Sequence, residues 1–268
     1  MDRREAVLRE LNLYPQWVRR DQTVPMAGNP QSAVAVMELT PPVAVGTPAL
    51  EAPQKYRHEP AVKPGKMPSK KPDAEGAPVA ALVNIHWPQL KEAVRDCTAC
   101  KLRAGCTQTV FGVGDENADW LFVGEGPGAD EDALGEPFVG EAGKLLDNML
   151  LAIQLKRGKN VYIANVVKCR PPENRTPAAD EIAHCLPFLQ RQIELIKPKL
   201  IVALGKVSSN ALLGREATIA SLRGNLHDYH GIPMIVTYHP AYLLRAPTEK
   251  AKAWQDLRLA VQTMIDRS

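Results

Sequence analysis

Four of the five cysteines have a spacing that suits a metal centre. Cys97 and Cys100 form a CxxC pair, and Cys185 lies sixteen positions after Cys169. Free cysteines are often buried as small hydrophobic residues, but the polar residues around the CxxC pair disfavour that interpretation. Structural zinc sites usually use two close pairs, whereas a four-cysteine iron–sulfur cluster tolerates the wider spacing of the second pair. We therefore expect these four residues to hold an iron–sulfur cluster, with zinc as the alternative and Cys106 as a free thiol.

The stretch LFVGEGPGADEDALGEPFVG, residues 121–140, begins like a nucleotide-binding turn because an apolar run leads into Gly124, Gly126 and Gly128. The spacing formally fits a dinucleotide-binding fingerprint. However, Pro127 and the four carboxylates that follow do not suit a pyrophosphate at a helix N-terminus. Flexible glycines beside so much negative charge therefore indicate a different ligand.

Short apolar strands that alternate with helices must position these residues, and this pattern is typical of an α/β layer fold. Continuous apolar, β-branched runs favour a parallel sheet that is covered on both faces. We predict a three-layer α/β/α sandwich with a central, mainly parallel four-stranded sheet. The predicted strands are 119–124, 161–167, 199–204 and 233–238, and the predicted helices are 86–96, 140–155, 177–196, 206–213 and 247–266.

Residues that follow the strands are the candidates for function, because ligands of such sheets bind beyond the carboxyl ends of the strands. This rule selects GEGPG, NVVKCRPPENR, GKVSSN and HPAYLLR, one segment after each predicted strand. Pro187, inside the third predicted helix, is expected to kink or split it.

The motifs CxxC, GEGPGADED, GEPFVG, ANVVKCRPPENR and HPAYLLR, in this order and with the further cysteine, strongly resemble the family 4 uracil-DNA glycosylases, the iron–sulfur members of that superfamily. The resemblance covers about residues 85–268. It implies an enzyme that flips uracil out of DNA and hydrolyses the N-glycosidic bond, leaving an abasic site and initiating base excision repair. No activated lysine is evident, so we expect a monofunctional glycosylase without a lyase step.

The resemblance also implies roles in binding the base. Phe138 of GEPFVG stacks on the flipped uracil. The Asn165 amide is able to pair with both N3–H and O4 of uracil, whereas cytosine presents the opposite donor pattern. The backbone of Gly126, Pro127 and Gly128 approaches the nucleotide closely.

Bond cleavage is expected to leave an oxocarbenium-like sugar and a negative charge on the departing base. By the resemblance, His239 of HPAYLLR donates a hydrogen bond to uracil O2. Related glycosylases of other families carry Asp or Asn two residues after the first glycine of the turn, but this chain has Gly126 there. We expect the nearest carboxylate, Glu125, to orient the water or to shape the pocket.

Apolar and basic residues near these motifs are expected to contact DNA. Leu243 and Leu244, with Tyr242, would fill the gap that the flipped base leaves in the stack. The [4Fe-4S] cluster that the resemblance implies would be structural, and it would order the segment between Cys169 and Cys185, which carries some of the expected DNA contacts. The basic residues expected to meet phosphates are Lys168, Arg170, Arg175, Lys206 and Arg245.

The N-terminal third differs in composition from the rest. Residues 1–20 form a short predicted helix that is either a frayed terminus or a docking peptide for a protein partner. Residues 21–84 contain eleven of the 23 prolines and are expected to be a disordered linker. Residues 85–268 then form the glycosylase domain.

Bulk properties exclude few functions. A net charge of +3 is too small to indicate nucleic acid by itself. Without an apolar signal or membrane-spanning segment in the sequence, we expect a cytoplasmic monomer that acts on single- or double-stranded uracil-containing DNA. The alternatives are a protein that traps uracil-DNA without turnover, a nucleotide-dependent iron–sulfur oxidoreductase, and an adaptor that works through its N-terminal helix.

Overall fold

The computed structural model describes Leu82 and residues 84–267. The predicted helix over residues 1–20 and the predicted linker over residues 21–84 lie outside the described residues, apart from Leu82 and Asn84. In the part of the chain that is described, no helix combines the length and apolar character needed to cross a membrane.

A six-stranded sheet forms the centre, in the order β1-β3-β2-β4-β6-β5. The inner strands β3, β2, β4 and β6 are parallel, while β1 and β5 pair antiparallel at the two edges. The strands are β1 (Val113–Gly114), β2 (Trp120–Gly124), β3 (Val161–Asn165), β4 (Leu200–Leu204), β5 (Leu226–Tyr229) and β6 (Ile232–Thr237).

The predicted α/β class and parallel centre are confirmed, but the predicted number of four strands is wrong. The two missed strands are edge strands with weak sequence signals. β1 has two residues, and β5 has the partly exposed sequence LHDY instead of an apolar run. A short edge strand needs few β-branched residues because it pairs with a neighbouring strand on one side only.

Helices cover both faces of the sheet. They are α1 (Trp87–Arg95), α2 (Leu102–Gly105), α3 (Ala129–Leu134), α4 (Glu141–Ala152), α5 (Ala179–Ile196), α6 (Lys206–Leu213), α7 (Ile219–Leu222), α8 (Pro240–Arg245) and α9 (Lys250–Ile265), with 3₁₀ turns at Pro172–Asn174 and Pro247–Glu249. Of the two effects expected of Pro187, the split is wrong because α5 continues through it as one element, while the kink stays a prediction.

Alternation along the strands divides the core into two layers. On one face, Leu121 and Val123 of β2 pack in a cluster with residues of α1, α2 and α5. On the other face, Trp120 and Phe122 pack in a cluster with residues of α4, α8 and α9. All residues of β2, β3 and β4 are buried, which explains their continuous apolar sequences.

Candidate active site

A cavity of about 450 Å³ lies at the carboxyl ends of β2, β3 and β6. Larger cavities of about 560 to 640 Å³ lie elsewhere on the described surface, but Glu125, Asn165 and His239 line none of them. The cavity combines residues from all the segments selected by the strand-end rule except GKVSSN, together with Phe138. Its lining includes Glu125, Gly126, Pro127, Gly128, Glu131, Phe138, Asn165, Arg175, Thr176, His239, Tyr242 and Arg245.

Two charged side chains that sequence reasoning missed hold the loop of Phe138. Arg157 donates to the carbonyl oxygens of Pro137 and Phe138, both at 2.8 Å, and its Nε donates to Asp147 at 2.9 Å. Glu131 accepts from the N–H groups of Gly128, Val139 and Gly140 at 3.0 to 3.3 Å. These bonds offset the left-handed backbone of Phe138, whose φ is 57°.

The side chains of Phe138 and Asn165 meet over the end of β2. A Cβ on Gly124 would lie 2.5 Å from Phe138 Cζ and would also overlap Asn165 Oδ1, so only glycine permits this approach. Asn165 is 2% exposed. Its Oδ1 is buried and, among the described residues, has no hydrogen-bond partner. A buried acceptor without a donor is costly, so it marks a place where a ligand donor fits.

His239 is the N-cap residue of α8 and has a defined tautomer. Its Nδ1 accepts a hydrogen bond from the Ala241 N–H at 3.2 Å, which leaves Nε2 to carry the proton of the neutral ring. Burial lowers the pKa of His239 to about 4, with the positive charge of Arg245 acting in the same direction. The imidazole is therefore neutral at physiological pH and presents one N–H donor.

The His239 and Phe138 rings are 5.5 Å apart between centroids and inclined by 29°. This separation does not admit a base between them, because each stacked contact takes about 3.5 Å. A base that stacks on Phe138 therefore presents its edge, not its face, to the imidazole.

Glu125 is half-buried at the cavity wall. Burial raises the pKa of its carboxyl above the usual range, while a hydrogen bond with Thr176 opposes this shift. The carboxylate is thus less solvated than a surface acid and faces the same space as His239.

The predicted DNA-contacting leucines separate in the structure. Leu244 and the neighbouring Tyr242 are 43% and 39% exposed, but Leu243 is 1% exposed and packs in the core. The prediction that Leu243 enters the DNA stack is therefore wrong, because α8 turns that side chain towards α4 and β6. Arg245, at the end of α8, is exposed at the rim of the cavity.

The other predicted basic residues have protein partners. Arg175 lines the cavity, but its guanidinium pairs with both oxygens of the buried Glu181 at 2.7 and 2.8 Å. Arg170 Nε donates to Asn174 at 2.8 Å, and Lys206 pairs with Glu216 at 3.3 Å. Neither Arg170 nor Lys206 lines the cavity.

Lys168 cannot meet a phosphate, so that prediction is wrong. The side chain is 1% exposed and donates to the backbone oxygen of Asn165 at 2.9 Å and to Gln192 Oε1 at 2.6 Å. Burial lowers the pKa of Lys168 to about 8.

The four predicted cysteine ligands converge. Cys97, Cys100, Cys169 and Cys185 line one small cavity between α1, α2, α5 and the end of β3. The fifth, Cys106, donates from its Sγ to the Arg103 carbonyl oxygen at 3.6 Å. In the described residues, no group of three or more His, Cys, Asp or Glu side chains is arranged to hold a metal ion.

The donor set nevertheless fits the chemistry of an iron–sulfur cluster. All four groups are thiols, and the Lys168 N–H points at Cys185 Sγ from 3.1 Å. Backbone N–H groups of Leu102 and Arg103 are also directed at Cys100. Hydrogen bonds of this kind stabilise sulfur in its thiolate form, which is the form that binds metal.

A family model, the uracil DNA glycosylase superfamily, matches residues 111–258. The chain belongs to this superfamily. The match spans every predicted pocket residue, from Glu125 to His239, as well as Cys169 and Cys185, while Cys97 and Cys100 precede it.

Relatives within the superfamily support the resemblance to family 4. The type-4 uracil-DNA glycosylase of Thermotoga maritima is 48% identical over 158 residues, which cover 58% of this chain and 82% of that protein. The enzyme of the same name from Pyrobaculum aerophilum is 40% identical over 189 residues, covering 67% and 95%. The one from Archaeoglobus fulgidus is 41% identical over 173 residues, covering 62% and 86%.

Proposed function

We propose that this superfamily member is a uracil-DNA glycosylase that hydrolyses the N-glycosidic bond of a flipped deoxyuridine. The observation that carries the proposal is the orphaned Oδ1 of Asn165, buried beside the Phe138 ring. A flat base with one N–H donor flanked by carbonyl oxygens complements this arrangement, and uracil is such a base.

Asn165 distinguishes uracil from cytosine by hydrogen bonding. Its Oδ1 accepts from N3–H of uracil, and its Nδ2 donates to O4. Cytosine has a lone pair at N3 and an amino group at C4, so both contacts become repulsive or unpaired. A buried site built for one hydrogen-bond pattern rejects the other strongly because its own polar groups are left without partners.

His239 lowers the barrier by stabilising the leaving group. As the glycosidic bond lengthens, negative charge grows on uracil O2, and the Nε2–H of a neutral imidazole donates to it. The low pKa of His239 means that its ring is already neutral, and the N–H of a neutral imidazole is too weakly acidic to be transferred. Uracil therefore leaves as an anion that is stabilised by a hydrogen bond.

Glu125 is proposed to orient the attacking water. Its carboxylate faces the cavity with Thr176 as a partner, and partial burial leaves it a better hydrogen-bond acceptor than a solvated acid. The sugar cation needs only a correctly placed water, because its carbon is already strongly electrophilic.

Cys97, Cys100, Cys169 and Cys185 are proposed to hold a [4Fe-4S] cluster. When bound, the cluster supplies a cross-link between α1, α5 and the segment after β3. The residues of the segment after β3 then stay fixed. They include Arg175, which lines the pocket and is held there by its pairing with Glu181. Arg245 and Leu244 at the exposed rim are proposed to contact the phosphate backbone and the vacated base stack.

The test uses purified protein and oligonucleotides that differ at one position, carrying deoxyuridine, deoxycytidine or thymidine in single- and double-stranded form. Release of the free base, measured by mass spectrometry for uracil, cytosine and thymine, is expected only from the deoxyuridine substrate. Asn165→Ala is expected to abolish detectable release, and Asn165→Asp is expected to lose selectivity against cytosine. Tight binding of uracil-DNA without release would favour a trapping protein, and no binding preference for uracil would overturn the proposal.

A further inference from the structure

Lys168 lies between the two functional parts of the molecule. It follows the end of β3, where Asn165 enters the uracil pocket, and directly precedes Cys169. It is one of the residues that line the small cavity shared by the four cysteines. Its backbone N–H donates to Cys185 Sγ at 3.1 Å, and its ammonium donates to the backbone oxygen of Asn165 at 2.9 Å.

The buried ammonium lacks an acidic partner among the described residues. The ion pairs found there do not include Lys168, and its side-chain acceptors are the neutral oxygens of Asn165 and Gln192. Gln192 is itself fixed, since its Nε2 donates to the Phe111 carbonyl oxygen at 3.0 Å. A buried cation without a counter-charge is strongly unfavourable, so an anion is expected nearby. The groups at hand able to supply it are the thiolates of the cysteine cavity.

We propose that Lys168 is the internal counter-ion of the cysteine-bound cluster and a positioning residue for Asn165. The inference rests on the proposed cluster. Four thiolates around an iron–sulfur core carry net negative charge, and the ammonium offsets it inside the protein. The same ammonium holds the Asn165 carbonyl oxygen, so an intact cluster keeps the end of β3 in the position that reads uracil.

The experiment compares three variants of the full chain, each isolated with its iron under anaerobic conditions. Lys168→Met removes the charge. Gln192→Glu keeps Lys168 but places an isosteric carboxylate beside it, which cancels its field at the thiolates. Gln192→Met is the uncharged control, because like Gln192→Glu it loses the Nε2 donor to the Phe111 carbonyl oxygen, and it also removes the acceptor of Lys168 without adding charge.

The first readout is the rate of iron release to a ferrous chelator, followed at the visible absorbance of the cluster. Lys168→Met and Gln192→Glu are expected to lose iron about tenfold faster than wild type, whereas Gln192→Met stays within about twofold. The second readout is the inhibition constant of free uracil, which is expected to rise in Lys168→Met because Asn165 loses its anchor.

Equal iron release by Gln192→Met and Gln192→Glu would overturn the counter-ion role, because loosened packing would then explain both. If Lys168→Met does not fold, the comparison of the two Gln192 variants decides alone. An unchanged uracil inhibition constant in Lys168→Met would overturn the positioning role. Wild-type protein without iron would overturn the inference entirely, while the release of uracil from DNA still tests the proposed function independently.

Discussion

His239 shows how one backbone contact selects the chemistry of a side chain. The Ala241 N–H occupies Nδ1, so the remaining proton of the neutral ring must reside on Nε2. Burial and the nearby Arg245 disfavour a second proton. Together these effects provide a hydrogen-bond donor whose protonation state does not change between pH 5 and 8.

Replacing His239 tests its role directly. His239→Ala is expected to slow single-turnover release of uracil by roughly two orders of magnitude, since one lost donor to a developing oxyanion costs about 3 kcal/mol. Affinity for uracil-DNA, measured by fluorescence anisotropy, is expected to change much less because Phe138 and Asn165 remain. An undiminished single-turnover rate would contradict the assignment.

The same residue makes stability depend on pH. The pKa of His239 is about 4 in the folded protein against 6.5 for an ordinary histidine, so between these values the unfolded chain binds the extra proton. Stability is therefore full above about pH 6.5 and is lost as pH falls towards 4, by roughly 3 kcal/mol at most. His239→Gln is expected to flatten this part of the curve. Thermal unfolding of both proteins from pH 7 to 4 measures the difference, and parallel curves would argue against a buried neutral imidazole.

The polar residues at strand ends predicted which segments form the pocket, but the sequence did not predict the direction of individual side chains. Glu125, Asn165 and His239 each follow or end an inner strand, so one topological rule found them all. Leu243 and Lys168 lie in equally suggestive motifs and yet point into the protein. The rotation of α8 about its axis and the turn after β3 determine which side chains in these two segments face solvent.

At the scale of elements, the GEPFVG loop depends on the start of α4. Gly143 lies in the first turn of that helix, and a Cβ there would overlap the Phe138 carbonyl oxygen. Arg157, which follows α4 in the chain, donates to the same oxygen. The Phe138 ring is thus placed by contacts of its backbone with α4 and Arg157, and not by its own rotamer preference.

Gly143→Ala is therefore expected to displace Phe138. The variant should lose about 1 to 3 kcal/mol of stability from overpacking and should raise the KM for uracil-DNA, because the stacking surface moves. Gly105→Ala is the matched control, since a Cβ there meets nothing within 4 Å. Thermal unfolding and steady-state kinetics distinguish the two. Equal behaviour of both alanine variants would show that the loop is not held by this contact.

Long apolar elements were predictable, whereas short or polar ones were not. The inner strands are continuous apolar runs and the five longest helices have periodic apolar patterns, and their predicted bounds lie within a few residues of those observed. β1 and β5 gain their pairing from the neighbouring strand, which no local pattern reveals. The continuous helix through Pro187 likewise depends on tertiary packing that outweighs the local preference.

At the scale of the molecule, the packing of the described core extends to Leu82, three residues before the predicted domain start at residue 85. Leu82 is 7% exposed and belongs to the core cluster with α1 and α5. Arg191 of α5 donates twice to the Ile85 carbonyl oxygen, at 2.8 and 2.9 Å. These contacts attach the chain to the face that also carries the cysteine cavity.

A shortened chain that begins at Leu82 is therefore expected to keep full glycosylase activity. Alignments of 158 to 189 residues already cover 82% to 95% of the type-4 relatives, so those enzymes are little longer than this domain. A second chain that begins at Trp87 lacks Leu82 and the Ile85 carbonyl oxygen, and it is expected to unfold at lower temperature and to lose iron faster. Uracil release and thermal unfolding of both chains, each against the full-length protein, measure these effects. If the chain that begins at Leu82 lost activity, the residues before Leu82 would instead have a direct part in catalysis or DNA binding.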